Sequence, residues 1–340
     1  MSTETTTHSS LGQKDGIDWK RVLLSRELIV AIFIVAASLI ATMMSPYFLT
    51  IANWKNILIG ISIEMIVAIG LTIVLVSGGI DLSVGSVVAL SGVTITLIFD
   101  AGGGTVLALG GGMGVGLLVG VVNGAFIAYV KLNPLITTLG TMAIGRSAVY
   151  IMSGGYALSS IPASYKIMAN GSVLAGIPNL ILITVILSTV FHIAMWRNVW
   201  FRKFTFLGGS EIAALRAGID VRRLKLAGYV LCALLAATGG AVVVARLGSS
   251  FPNTASGMEL RVITAVIVGG CSIYGGRGTV LGAALGVLFL GLMNNILVLN
   301  SVSVYWQGVA SGCVLILAVL SDAIINRGNC RCPSPIKSLS

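Results

Sequence analysis

Long continuous apolar stretches dominate the chain. They run at about 28–46, 57–77, 82–99, 105–130, 134–153, 178–196, 226–246, 260–274, 279–299 and 304–325, with short polar segments between them. A spanning helix takes about 20 predominantly apolar residues at a rise of about 1.5 Å each. The pattern therefore predicts an all-α, polytopic membrane protein of about ten transmembrane helices. The run at 260–274 is short, and the run at 134–153 carries Arg146. Outer-membrane barrels need weak strands alternating at period two, which these continuous runs do not offer. Residues 1–25 are polar and rich in Ser and Thr. No short apolar core with a small-residue cleavage site is found there, so the first run reads as an anchor rather than a removed signal.

Charge placement tests the count independently. With the N-terminus inside, sixteen Lys and Arg fall on cytoplasmic segments, from Lys14 through Arg197, Arg216 and Arg277 to Lys337. Four fall opposite (Lys55, Lys166, Arg246 and Arg261), and Arg146 lies within a run. That asymmetry is the one expected of cytoplasmic loops, so both termini are expected in the cytoplasm and the helix number even. Composition adds to this picture: 56% of residues are hydrophobic, 9% charged, and mean hydropathy is +1.01. A soluble domain is about a quarter charged, so a soluble enzyme, a disordered chain and a secreted disulfide scaffold are excluded. Glycine, 43 of 340 residues, suits helices whose backbones approach closely in lipid. The net charge of +10 is spread between apolar runs rather than gathered in one soluble module, so no nucleic-acid partner is expected.

Candidate chemistry is sparse. The five cysteines have no framework spacing, and Cys330-x-Cys332 lacks a second ligand pair, so neither disulfides nor a metal are expected. His8 and His192 have no nucleophile motif beside them. No Gly-Lys pair occurs anywhere, so the chain has no phosphate-binding loop, and any ATP-driven transport needs a separate ATPase subunit. Within 197–225, the longest strongly charged stretch between spans, Ser210–Ala217 reads as a short helix. Ser210 can cap it, Glu211 suits its positive end and Gly218 stops it. Such a helix is either a docking element at the surface or part of a joining loop.

The run Gly78-Gly79-Ile80-Asp81-Leu82-Ser83-Val84-Gly85-Ser86 interrupts the hydrophobic signal. Asp81 can cap the helix that follows, and the segment is either an element of a translocation path or a capped turn. Gly275-Gly276 with Gly282 repeats its Gly-Gly-x5-Gly spacing. Glu64 and Arg146 are the clearest ionisable groups inside spans and need partners or water. Two isolated charges make a poor relay for an ion- or proton-coupled secondary carrier, the alternative reading; nothing supports a membrane enzyme or channel. Asn123, Asn294 and Asn295 can contact a polyhydroxylated solute or bond between helices.

The chain resembles the membrane permease subunits of ribose-type ABC sugar importers, a group that includes autoinducer-2, xylose, arabinose and galactoside permeases. The resemblance runs from about 45 to 325. It rests on the Gly78–Ser86 run, Thr138-Leu139-Gly140-Thr141-Met142 with Arg146, Ala245-Arg246-Leu247-Gly248-Ser249 and Gly257-x-Glu259-Leu260. Gly275-Gly276-Arg277-Gly278-Thr279 and Tyr305-Trp306-Gln307 complete it. It implies a permease domain at 26–326 between cytoplasmic tails at 1–25 and 327–340, in the bacterial inner membrane. It also implies a second permease copy or a similar permease, a cytoplasmic ABC ATPase and a periplasmic solute-binding protein. ATP and Mg would sit on the ATPase, with no cofactor or metal on this chain. By the same resemblance Gly208, Gly209, Ser210, Glu211, Ala214 and Gly218 form the coupling segment. Asp81, Ser83, Ser86, Asn123 and Asn294 are pathway candidates, and Arg246 and Glu259 candidate contacts for the binding protein.

Five features depart from the family pattern. Leu215 and Arg216 are exchanged, Arg261 stands where Asp is common, Phe201 replaces a usual Gly, Ser311 a usual Lys or Arg, and Glu64 an apolar residue.

Overall fold

The computed structural model describes residues 26–174 and 176–329. The N-terminal tail, His8, Cys330 and Cys332 lie outside the described residues. The chain runs α1 (Arg26–Met44), α2 (Ile51–Val76), α3 (Val84–Asp100), α4 (Thr105–Ala125), α5 (Pro134–Ser153) and α6 (Ala163–Asn170). A small antiparallel hairpin, β1 (Ser172–Leu174) and β2 (Ile177–Pro178), precedes α7 (Asn179–Arg197), α8 (Val199–Gly209) and α9 (Glu211–Arg216). Then follow α10 (Val221–Leu247), α11 (Met258–Val268), α12 (Val280–Leu299) and α13 (Val304–Asn329).

Each apolar run holds one helix, and the protein is a polytopic helical membrane protein. Among the described residues seven helices are long and apolar enough to cross a bilayer, namely α1, α2, α4 with its extension to Val130, α5, α7, α10 and α12. Helix α3 and the stretch Tyr305–Leu320 are apolar but shorter. The run at 260–274 breaks early: α11 has 11 residues, about 16 Å of helix. Gly269 ends it, because the chain there lies backbone to backbone against Gly282 of α12 and turns at Gly270 with φ 98°.

Helices α2 and α10 form the centre, with 72% and 67% of their apolar windows buried against 11% to 22% for α1, α4, α5 and α7. On the outer helices Ile32, Phe33, Val35 and Leu39 of α1, Ile144 and Ile151 of α5 and Ile186 of α7 are exposed. Apolar side chains facing outward are the arrangement a lipid solvent stabilises. Helix α4 packs on α10 through Gly116, Gly120 and Gly124, while Gly112, one step earlier in the same every-fourth-residue stripe, faces Ser91 and Ile95 of α3. A Cβ on Gly120 would lie 2.7 Å from Val230 Cα, so the two backbones meet without side chains between them.

Connections gather at two ends. At one, Gly276 N donates to Val76 O at 2.8 Å, and the segments after α2, α8 and α11 meet. At the other, Leu158 and Ser250 exchange backbone bonds of 2.9 and 2.8 Å, Lys55 Nζ donates to Gly176 O, and Ser160 Oγ donates to Asp100 Oδ1. Lys131, Arg202, Lys203, Arg216, Arg222, Arg223 and Arg277 occupy connections or helix ends of the first set, which makes it the basic end. Arg261 departs from the sequence count. It lies in the first turn of α11 rather than in a loop, and its guanidinium reaches Glu64, midway along α2.

Candidate functional site

Three places gather the residues that the sequence singles out. The first is a polar knot where the chain breaks between α2 and α3. Asp81 Oδ1 accepts from Ser83 N at 2.9 Å and from Ser83 Oγ at 2.6 Å. Asn123 Nδ2, from the last turns of α4, donates to Ser83 Oγ at 2.9 Å, and Ser86 Oγ donates to Ser83 O at 2.7 Å. Tyr229 Oη of α10 donates to Ile80 O at 3.3 Å. Asp81, Ser83 and Asn123 are wholly buried and Ser86 almost so. The expected helix cap is offset: Ser83 occupies the N-cap position without a side-chain cap bond, and Asp81 closes the turn before it. These four residues thus come together, as a joint tying α3, α4 and α10.

Asn294 lies elsewhere, in the wall of a cavity of about 660 Å³ between α2, α11, α12 and α13. Across it Arg261 Nε donates to Glu64 Oε1 at 3.0 Å. Thr264, Gln307 and Ser311 share the wall. Asn294 Oδ1 is buried without a hydrogen-bond partner. Its neighbour Asn295 is an interhelical brace, exchanging bonds of 2.8 and 3.1 Å with Asn53.

The third place is the basic end. Gly208 and Gly209 finish α8, and Ser210 caps α9, its Oγ accepting from Ala213 N at 3.2 Å. Ala214 is fully buried against a cluster of Ile73, Phe204, Leu207, Val221 and Leu224, while Gly218 leaves the helix at φ 76°. On the opposite face of α9, Ile212 and Leu215 are exposed, an apolar surface on a charged segment. Glu211 Oε2 accepts from Lys225 Nζ of α10 at 2.7 Å, clipping α9 to a central helix. Gly208 packs with no side chain between it and its neighbours. A Cβ there would overlap Val76 O and lie 2.5 Å from Gly276 N. A Cβ on Gly275, at φ 83°, would lie 2.9 Å from the Gly78 backbone. The two Gly-Gly segments recognised by their spacing therefore meet each other and the end of α8 at one junction. A crevice of about 180 Å³, lined in part by Gly78, Gly208, Glu211, Lys225 and Tyr229, lies beside it.

Of the residues read as outer contacts, Arg246 Nη1 donates to Ile59 O at 3.4 Å, and Glu259 Oε2 is buried beside Gly85 without a hydrogen bond. Arg146 bonds to the loop between α10 and α11, its Nη1 donating to Pro252 O at 3.1 Å and Thr254 O at 2.8 Å. The Glu64–Arg261 and Glu211–Lys225 pairs were not foreseen, because no helical spacing connects their members.

Residues 53–319 match the family described as branched-chain amino acid transport system, permease component. The chain belongs to this permease family. It is similar to the ribose import permease protein RbsC of Bacillus subtilis (strain 168), 35% identical over 285 residues, covering 84% of this chain and 88% of that one. RbsC of Escherichia coli (strain K12) is 33% identical over 311 residues, covering 89% and 95%. The L-arabinose ABC transporter permease protein AraH of Azospirillum brasilense is 34% identical over 300 residues, covering 88% of each. No solved structure matches the chain. The family's description and the relatives' names point to different solutes, so membership by itself selects none.

Proposed function

We propose that this permease is the transmembrane subunit of an ATP-binding-cassette importer in a bacterial inner membrane. It forms the path for a monosaccharide, ribose- or arabinose-like, or a similar small polar solute. In this reading about ten apolar helices, α11 a short one, lie in the bilayer with both termini and the basic end on the cytoplasmic side. The domain covers 26–326, with tails on either side. The solute arrives from a periplasmic binding protein at the outer loops near Arg246–Glu259, and a second permease copy or a similar permease completes the path. ATP and Mg are held by a separate cytoplasmic ATPase.

The observation that carries this reading is α9. It is a capped helix at the basic end, with Ile212 and Leu215 exposed and Ala214 buried, tied by Glu211 to α10 and by Gly208 to the α2–α3 break. On this reading Ile212 and Leu215 are the side chains that the ATPase subunit covers. A push on this helix reaches the core through the ion pair and the glycine junction without a flexible link. In proteoliposomes holding the assembled complex, uptake of D-ribose or L-arabinose requires ATP and survives collapse of the ion gradients. Gradient-driven uptake by this subunit alone overturns the reading and favours the ion-coupled carrier.

The clip gives a second expectation. Glu211→Arg sets two cations together, and because Glu211 is 53% exposed the loss in folding is small. Solute-stimulated ATP hydrolysis falls about fivefold, the effect of roughly 1 kcal/mol of lost coupling, while insertion stays normal. Unchanged stimulation removes α9 from the coupling route.

A further inference from the structure

Three of the five departures from the sugar-permease pattern, Glu64, Arg261 and Ser311, come from distant parts of the chain and converge on the same cavity of about 660 Å³. Two of them satisfy each other, since Arg261 Nε donates to Glu64 Oε1 at 3.0 Å. The acid stands in α2 and the base in the first turn of α11, so the pair spans the cavity between two helices. The short Ser311 lines the same cavity beside this pair.

The pair is only half used. Among the described residues Glu64 Oε2, the terminal nitrogens of Arg261 and the side chains of Asn294, Gln307 and Ser311 make no hydrogen bond, yet all five residues line the cavity. Of these groups Asn294 Oδ1 is fully buried without a partner, and a buried polar atom left so carries a cost. Here they converge on a space within the usual size range of small-molecule pockets. The chemistry of the wall narrows the occupant. An acceptor oxygen and guanidinium N–H donors sit side by side, and their charges cancel. A neutral solute with adjacent hydroxyls matches both, one hydroxyl donating to Glu64 Oε2 while a neighbouring oxygen accepts from Arg261. A solute bearing a net charge would have to compete with the pair itself.

We infer that the Glu64–Arg261 pair is a solute-recognition element of this permease, taking a vicinal diol of a neutral polyhydroxylated solute in the α2–α11–α12–α13 cavity. This rests on the importer reading above and adds the residues by which this chain selects its cargo.

The test uses the assembled complex in proteoliposomes with D-ribose and L-arabinose as probes. Glu64→Leu with Arg261→Leu removes both charges together, a replacement that apolar packing tolerates better than loss of one partner. The double variant assembles with its partners, and uptake falls about tenfold or more, as expected for loss of charge-assisted hydrogen bonds. Uptake within twofold of wild type shows that the pair is only a brace and overturns the inference. Glu64→Arg with Arg261→Glu preserves one donor and one acceptor, so it is expected to keep uptake within about threefold of wild type. Uptake about tenfold or more below wild type in an assembled complex carrying the swapped pair overturns the recognition role, whether or not the leucine variant assembles. A wild-type complex that moves neither sugar with ATP overturns the importer reading itself, a result separate from any variant.

Discussion

Gly208→Val is expected to abolish coupled transport while leaving the subunit in the membrane. A Cβ at this position overlaps the Val76 carbonyl and crowds Gly276 N, both backbone atoms that cannot rotate aside. Val76 O is also the acceptor for Gly276 N, so the intrusion strikes the bond that holds the α2–α3 and α11–α12 breaks together. Overpacking of this kind costs about 1–3 kcal/mol, and relief comes by pushing the end of α8 away. ATP-dependent uptake then falls about tenfold or more. The neighbouring residue is the control: nothing lies within 4 Å of a Cβ on Gly209. Gly209→Ala transports within about twofold of wild type, since exposed substitutions move stability by about 0.5 kcal/mol or less. Equal loss in both variants would show that α8 needs glycine for flexibility rather than for contact.

Asp81→Ala is the more destructive change for the fold. The Ser83 N–H and hydroxyl both donate to Asp81 Oδ1, and the Ser83 hydroxyl in turn receives Asn123 Nδ2. Removing the carboxylate leaves buried donors without an acceptor and opens a void where α3, α4 and α10 meet. The expected loss is about 2–5 kcal/mol, measured as a lower thermal midpoint of the detergent-solubilised protein together with loss of uptake. Asp81→Asn retains an acceptor at the same position and loses less than half as much. Equal losses in Ala and Asn would assign the role to charge rather than to the hydrogen-bonded turn.

Hydropathy made the helices legible because an apolar stretch of spanning length has few other stable forms. It misread 260–274 because Gly269, Gly270 and Cys271 are as unpolar as a helix interior, and only their close approach to α12 makes the chain turn there. Helix α9 was readable from Ser210, Glu211 and Gly218, since capping is local chemistry. The polar knot was legible in its pieces but not in its assembly. Asp81 and Ser83 stand in one motif, whereas Asn123 joins them only because the glycine stripe of α4 brings that helix against α10. Glu64 and Arg261 each looked anomalous alone. A partner 197 residues away is specified by helix packing, for which one-dimensional spacing holds no rule.

Within the bilayer, the opposite charges of Glu64 and Arg261 also settle how the protein meets the membrane potential. An unpaired charge crossing that field exchanges about 2.3 kcal/mol per 100 mV. Helices α2 and α11 shifting together carry equal and opposite charges, so the electrical work on the couple cancels. The pair therefore adds no voltage dependence to a movement that carries both helices together.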